Sequence, residues 1–111
     1  MDKETRKRFK ALLLDLPFWG RERERAAFVA DALWGHAAGQ SFVAEGEAST
    51  VAGELLDRCA GYDIPTESGA SPLCALLEEI RERGLAVGRH ASTCAALASA
   101  LGCGARKPAG E

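Results

Sequence analysis

The sequence predicts an all-α bundle of five to six helices, and three observations predict it. Apolar residues recur at i, i+3, i+4 and i+7 in four separate segments, the mark of helices buried on one face. The strict apolar–polar alternation that a half-buried strand needs occurs nowhere. The periodic segments are bounded by proline or glycine, which leaves short connections. With 111 residues, 47% hydrophobic and 27% charged, the chain suits one domain with one modest core.

In the first helix Phe9, Leu12, Leu13 and Leu16 share a face, with Arg6, Lys7 and Lys10 pointing elsewhere. Pro17 ends it, because the residue before a proline is pushed out of the α region. Next comes "LPFWGRERERAAF", residues 16–28, in which five charges alternate in sign. A strand would set Arg21, Arg23 and Arg25 against Glu22 and Glu24, with no apolar set to bury. A helix instead joins the spacing of Ala26, Val29, Ala30 and Leu33, with Trp34 alongside, so a second helix starts near Arg21. Phe18 and Trp19 are expected to tuck against the bundle and fix the angle between the two helices. Arginines at a helix start oppose the macrodipole by roughly 0.3–1 kcal/mol each, and Glu22 and Glu24 offset only part of this. The arginines therefore read either as a solvated face or as a surface for a partner.

Gly35 and Gly39 bracket the end of the second helix. "QSFVAEGEAS" has room for a short helical turn around Phe42 and Val43. Ser49 or Thr50 is the expected N-cap of a further helix, whose stripe is Val51, Leu55 and Cys59 with Leu56 beside it, ending near Gly61. "DIPTESGAS" is a turn-rich connector. Ser71 followed by Pro72 is a strong helix start, an N-cap and then proline at the first position; Leu73, Leu76, Leu77 and Ile80 follow on one face until Gly84. The last helix runs from about Arg89 to Leu101, with Cys94, Leu97, Ala98 and Leu101 inward and Gly102 and Gly104 ending it. Residues 1–104 form the domain, and 105–111 a tail or the start of a linker.

Charge excludes some function classes. The net charge of −2 gives no support to general nucleic-acid binding. The longest uncharged run, Ala91 to Ala105, is too short and too rich in small residues for a bilayer, and the apolar run broken by Asp15 is no signal peptide. Residues 1–25 hold eight basic and five acidic side chains, whereas the remainder holds six basic and eleven acidic. Such a bipolar chain can steer association between copies or related domains.

Chemistry finds few footholds. His90 and Cys94 lie four apart on the last helix, but a metal site needs two further ligands and only His36 and three scattered cysteines are available. A Cys–His nucleophile needs an orienting group and an oxyanion hole as well. There is no phosphate-cradling glycine motif. Cys59, Cys74, Cys94 and Cys103 show no CxxC spacing, and free thiols in a reducing cytoplasm are the expectation. No catalytic, cofactor-binding or metal-binding residue is assigned.

The order of motifs resembles the small death-like effector-associated domains of bacterial conflict systems, over roughly residues 9 to 101. The matching pattern is the apolar first helix ending at "LPFW" and followed by "RERERAAF". It continues with "ASTVAGELLDRCAGY", closing on a Gly-aromatic pair, and the proline-started "ASPLCALLEEIRERG". The resemblance implies a compact death-like bundle that recruits partners bearing related domains, homotypic or heterotypic, on behalf of a fused or neighbouring protease, NTPase or other effector. It carries over no catalytic residue.

On that reading Arg21, Arg23 and Arg25 present one surface, and Glu54, Asp57, Glu78, Glu79 and Glu82, which with Arg81 and Arg83 interleaved also read as solvated helix surface, the complementary one. A homo-oligomer is one form such contacts allow, without nucleic acid or membrane. The rival expectation is a small helical DNA-binding regulator using Lys3, Arg6, Lys7, Arg8 and Lys10; the negative net charge and the lack of a polar recognition helix weigh against it.

Overall fold

A computed structural model describes residues 2–40, 42–61 and 71–103. The chain begins helix α1, Lys3–Leu14, at Asp2, whose carboxylate accepts the Thr5 N–H at 2.8 Å and so satisfies one of the donors that every helix start leaves over. Phe9, Leu12 and Leu13 are buried from α1, and Leu16, in the turn beyond it, joins them. Helix α2, Glu22–Ala32, follows the Pro17–Gly20 turn, as the helix reading of the alternating charges requires.

The buried face of α2 differs from the expected stripe. Arg25, Phe28, Val29, Ala32 and Leu33 point inward, while Ala26, Ala30 and Trp34 face solvent. Phe28 decides this rotation. It packs edge-on to Trp19, with ring centroids 6.2 Å apart, and against Phe18 at 5.5 Å, burying far more apolar area than two alanines offer. Phe18 and Trp19 do lie against the bundle, Trp19 buried and donating its indole N–H to the Ala48 carbonyl at 3.0 Å.

A short 3-10 turn forms at Ala37–Gly39, earlier than the one expected around Phe42 and Val43. Residues 42–45 are not helical, and the Ala44 carbonyl there accepts from the Arg25 side chain. Helix α3, Ala48–Gly61, is started by Glu47 instead of Ser49 or Thr50: the Glu47 carboxylate accepts both the N–H and the hydroxyl of Thr50, at 2.9 and 3.0 Å. Val51, Leu55, Leu56 and Cys59 line its buried face.

Ser71 caps α4, Pro72–Glu82, accepting the Cys74 N–H at 3.0 Å with proline in the first turn, as the sequence reading has it. Leu73, Leu76, Leu77 and Ile80 are buried. Helix α5, Arg89–Leu101, buries Cys94 and Leu97 and leaves Ala98 and Leu101 half-buried. It closes at Gly102, whose φ of 77° lets the Cys103 N–H reach back to the Ala98 carbonyl at 2.8 Å. Most of the "DIPTESGAS" connector and the 105–111 tail lie outside the described residues.

The described residues thus form five α-helices and one 3-10 turn around a single core. Helix α1 packs on α3 and α5, and α4 packs on α2, α3 and α5. One expectation is overturned in the cysteines. Cys74 and Cys103 are joined in a disulfide closing 29 residues, tying the first turn of α4 to the end of α5. The helix ends bring these two positions together, with Cα atoms 5.7 Å apart, a proximity that spacing along the chain does not reveal. Cys59 and Cys94 stay buried as thiols.

Acid should loosen this bundle through three carboxylates. Hydrogen bonds from Arg6 hold Asp57 below its ordinary value of 3.8, against a small opposing effect of burial. Bonds from Thr50 hold Glu47 below 4.5, and bonds from Thr5 hold Asp2 below 3.8. Groups depressed on folding stabilise fully above their unfolded values and lose that contribution as pH falls through the folded ones. The urea midpoint should therefore be level above about pH 5 and fall below about pH 4. Asp57→Asn should flatten part of the slope; an unchanged slope would remove the Arg6–Asp57 pair from the account.

Candidate interaction surface

The eight charged residues expected to meet a partner fall into unlike environments. Arg21 is the exposed N-cap of α2; its Nε pairs with Glu24 at 2.7 Å and its Nη2 donates to the Pro17 carbonyl at 3.3 Å. Arg23 is exposed, with no ion pair or hydrogen bond from its side chain among the described residues.

Arg25 is a correction, being buried to 1% exposure and unable to face a partner. Its guanidinium donates to the Trp19 carbonyl at 2.9 Å, twice to Ala44 at 2.8 and 3.0 Å, and to Gly46 at 3.0 Å. The Glu22 carboxylate stands 3.9 Å away and accepts the Gly46 N–H at 3.1 Å. A buried cation is tolerated only when its donors are satisfied, and here the planar fork is matched by carbonyls from two loops. Gly46 has a φ of 122°, a conformation that L side chains rarely adopt, and this shapes the loop around the guanidinium. The third arginine of "RERER" thus serves the fold. It fastens the 17–20 turn and the 42–46 segment to α2.

The acidic residues divide between α3 and α4. On α3, Glu54 is exposed with no partner from its side chain among the described residues, whereas Asp57 takes a two-pronged bond from Arg6 of α1 at 2.8 and 3.1 Å. Arg6 also reaches the Gly53 carbonyl at 3.4 Å, and a side chain at Gly53 would meet its guanidinium at 3.1 Å. On α4, Glu78 pairs with Arg81 at 3.3 Å, and Glu82 is exposed with no such partner among the described residues. Glu79 is largely covered, 2.7 Å from Arg83. Arg83 in turn bonds Asp31 of α2 at 2.8 Å and lies over the rings of Phe18 and Phe28, at 5.7 and 5.3 Å. Asp57 therefore holds α3 to α1, Glu79 backs the Arg83 that reaches α2, and Arg21, Arg23, Glu54, Glu78 and Glu82 are the charges turned outward.

Two features escape the sequence reading. Trp34, spaced like a core residue, is 85% exposed. A groove of about 420 Å³ lies between α1 and α5, lined by Arg8, Ala11, Leu12, Arg89, Ser92 and Ala96 among others. Asp15 and His90 line it as well, and there Asp15 takes bonds from Arg89 at 3.0 Å and from His90 at 3.2 Å. His90 faces this carboxylate while Cys94 is in the core, where burial pushes its thiol up, a setting for an inert sulfur. Among the described residues no group of three or more His, Cys, Asp or Glu is placed to hold a metal ion, and no helix is long and apolar enough to cross a membrane.

A helical bundle whose charged side chains either brace the fold or face solvent defines the class: an all-α domain. Within it, the family model of effector-associated domain 8 matches residues 3–101, and the chain belongs to that family. No curated protein and no solved structure gives a significant match.

Proposed function

We propose that the chain is a non-enzymatic adaptor of bacterial conflict signalling, working in the cytoplasm. It brings an effector or sensor to a partner through like-with-like contacts between death-like, effector-associated domains. Membership of the effector-associated family supports the role. The observation that carries the contact itself is outward charge of opposite sign on separate elements, Arg21 and Arg23 at the start of α2 against Glu54, Glu78 and Glu82 on α3 and α4. Of these Arg23, Glu54 and Glu82 have no side-chain partner among the described residues, so meeting a second domain breaks no bond of their own. Exposed charges of this kind set encounter rate and register more than affinity.

Light scattering coupled to size exclusion, over a concentration series at low and high salt, tests the proposal. Self-association should weaken with salt, since rim charges are screened beyond about 8 Å at physiological ionic strength. Arg21→Glu with Arg23→Glu should weaken association at least tenfold with helicity unchanged by circular dichroism. Unchanged association would remove this surface from the role. A gel shift with random duplex at low salt addresses the DNA-binding alternative, which the five basic residues of α1 favour.

A further inference from the structure

We propose that Trp34 of one copy seats in the groove between α1 and α5 of a second copy, so that the domains join head to tail. This rests on the adaptor reading and adds to it a contact that is apolar at its centre. Trp34 stands just past α2, 85% exposed, and no hydrogen bond or ring contact holds its side chain among the described residues. Trp19, in contrast, is 1% exposed with its N–H bonded. Tryptophan is enriched among the residues that dominate interface energetics.

The groove has the size and chemistry for an indole. Ala11, Ser92 and Ala96 are small, and the space they leave, about 420 Å³ over Leu12, is within the range of pockets that enclose small molecules. Arg8 and Arg89 also line it, with side chains 60% and 81% exposed, and a guanidinium over an indole face is attractive. The fold already uses this pairing internally, with Arg25 5.9 Å over Trp19 and Arg83 5.3 Å over Phe28.

Charge selects a second copy as the occupant. The Arg83–Asp31 bond sets the end of α4 beside the end of α2, next to Trp34. There Asp31, Glu78, Glu79 and Glu82 outnumber Arg81 and Arg83 by two, and this acidic corner would approach Arg8 and Arg89, the exposed cations of the groove lining, where Asp15 is the one acid. Because the projecting residue and the groove are different patches, a joined pair keeps one Trp34 and one groove unused, and the assembly grows into a ring or a filament.

Complementation between two variants of the full chain provides the test. Trp34→Ala retains the groove, and Ala96→Arg, at an exposed helix position, blocks it while retaining Trp34; Ser92→Arg is a second blocking variant. Each alone should associate at least tenfold more weakly than wild type with helicity intact, and an equimolar mixture should give a dimer that grows no further. Acrylamide quenching of wild-type fluorescence should fall with concentration as Trp34 is covered. A Trp34→Ala variant that assembles like wild type, or a mixture that stays monomeric, overturns the proposal. If Arg21→Glu with Arg23→Glu abolishes assembly while Trp34→Ala does not, only the groove contact fails. A wild type that is monomeric at every concentration and salt removes this contact and the self-association reading together.

Discussion

Arg25→Ala should destabilise the domain by about 3 kcal/mol, among the largest effects of any single substitution. The loss arises from the carbonyls left behind. Trp19, Ala44 and Gly46 together accept four bonds from the guanidinium, and a buried acceptor left without a donor costs about 1–3 kcal/mol. The side chain also fills space against the Trp19 ring, so truncation adds a cavity to the unsatisfied groups. Arg25→Lys should recover only part of the loss, because one ammonium cannot reproduce a planar fork aimed at three residues. Against a typical domain stability of about 5–15 kcal/mol, that loss takes from about a fifth to more than half of the whole. Urea denaturation measures this directly: the midpoint should fall with the slope unchanged. A shift below about 1 kcal/mol would mean that the 42–46 segment is held in place by something else.

The second large effect should follow reduction of Cys74–Cys103. A cross-link closing 29 residues restricts the unfolded chain by about 3–4 kcal/mol in the chain-entropy account. Thermal unfolding with and without dithiothreitol, and of Cys74→Ser with Cys103→Ser, should give matching drops of roughly 15 °C or more for a domain of this size. Cys59→Ser tests a different matter, since it replaces a buried thiol by a hydroxyl in the core and leaves the cross-link intact. In the cytoplasm the glutathione pool keeps thiols reduced, so the reduced form is the one whose stability matters for the proposed role. Equal stability in both redox states would leave the disulfide without energetic weight.

The helices were legible because each is written in local terms: spacing of apolar residues, a capping Ser71, a proline at 72, a terminal Gly102. Legibility failed where one side chain serves two levels of structure. "RERER" reads as three equivalent arginines, yet only tertiary packing distinguishes Arg25, which lies inside, from Arg21 and Arg23, which lie outside. Asp57 looks like a surface acid until Arg6, 51 residues away, reaches it, and the i,i+4 pair of Glu79 and Arg83 does not tell that Arg83 also reaches Asp31 of α2. Trp34 carries core spacing but belongs to solvent, because Phe28 sets the rotation of α2. The cysteines were misread for a related reason. Their pairing depends on where two helix ends meet, and 29 residues of spacing contain no record of that.

The pairing of α1 with α5 has a consequence for synthesis. Asp15 and Arg89 lie 74 residues apart, and at about 5–20 residues per second roughly 4–15 seconds separate the emergence of the two partners from a ribosome. During that interval the apolar side of the first helix has only part of its final cover, while its five basic residues against Glu4 make nascent chains repel one another. Helix α5 is thus the segment that completes the core, so a ribosome that stalls before it leaves a chain unable to finish that core.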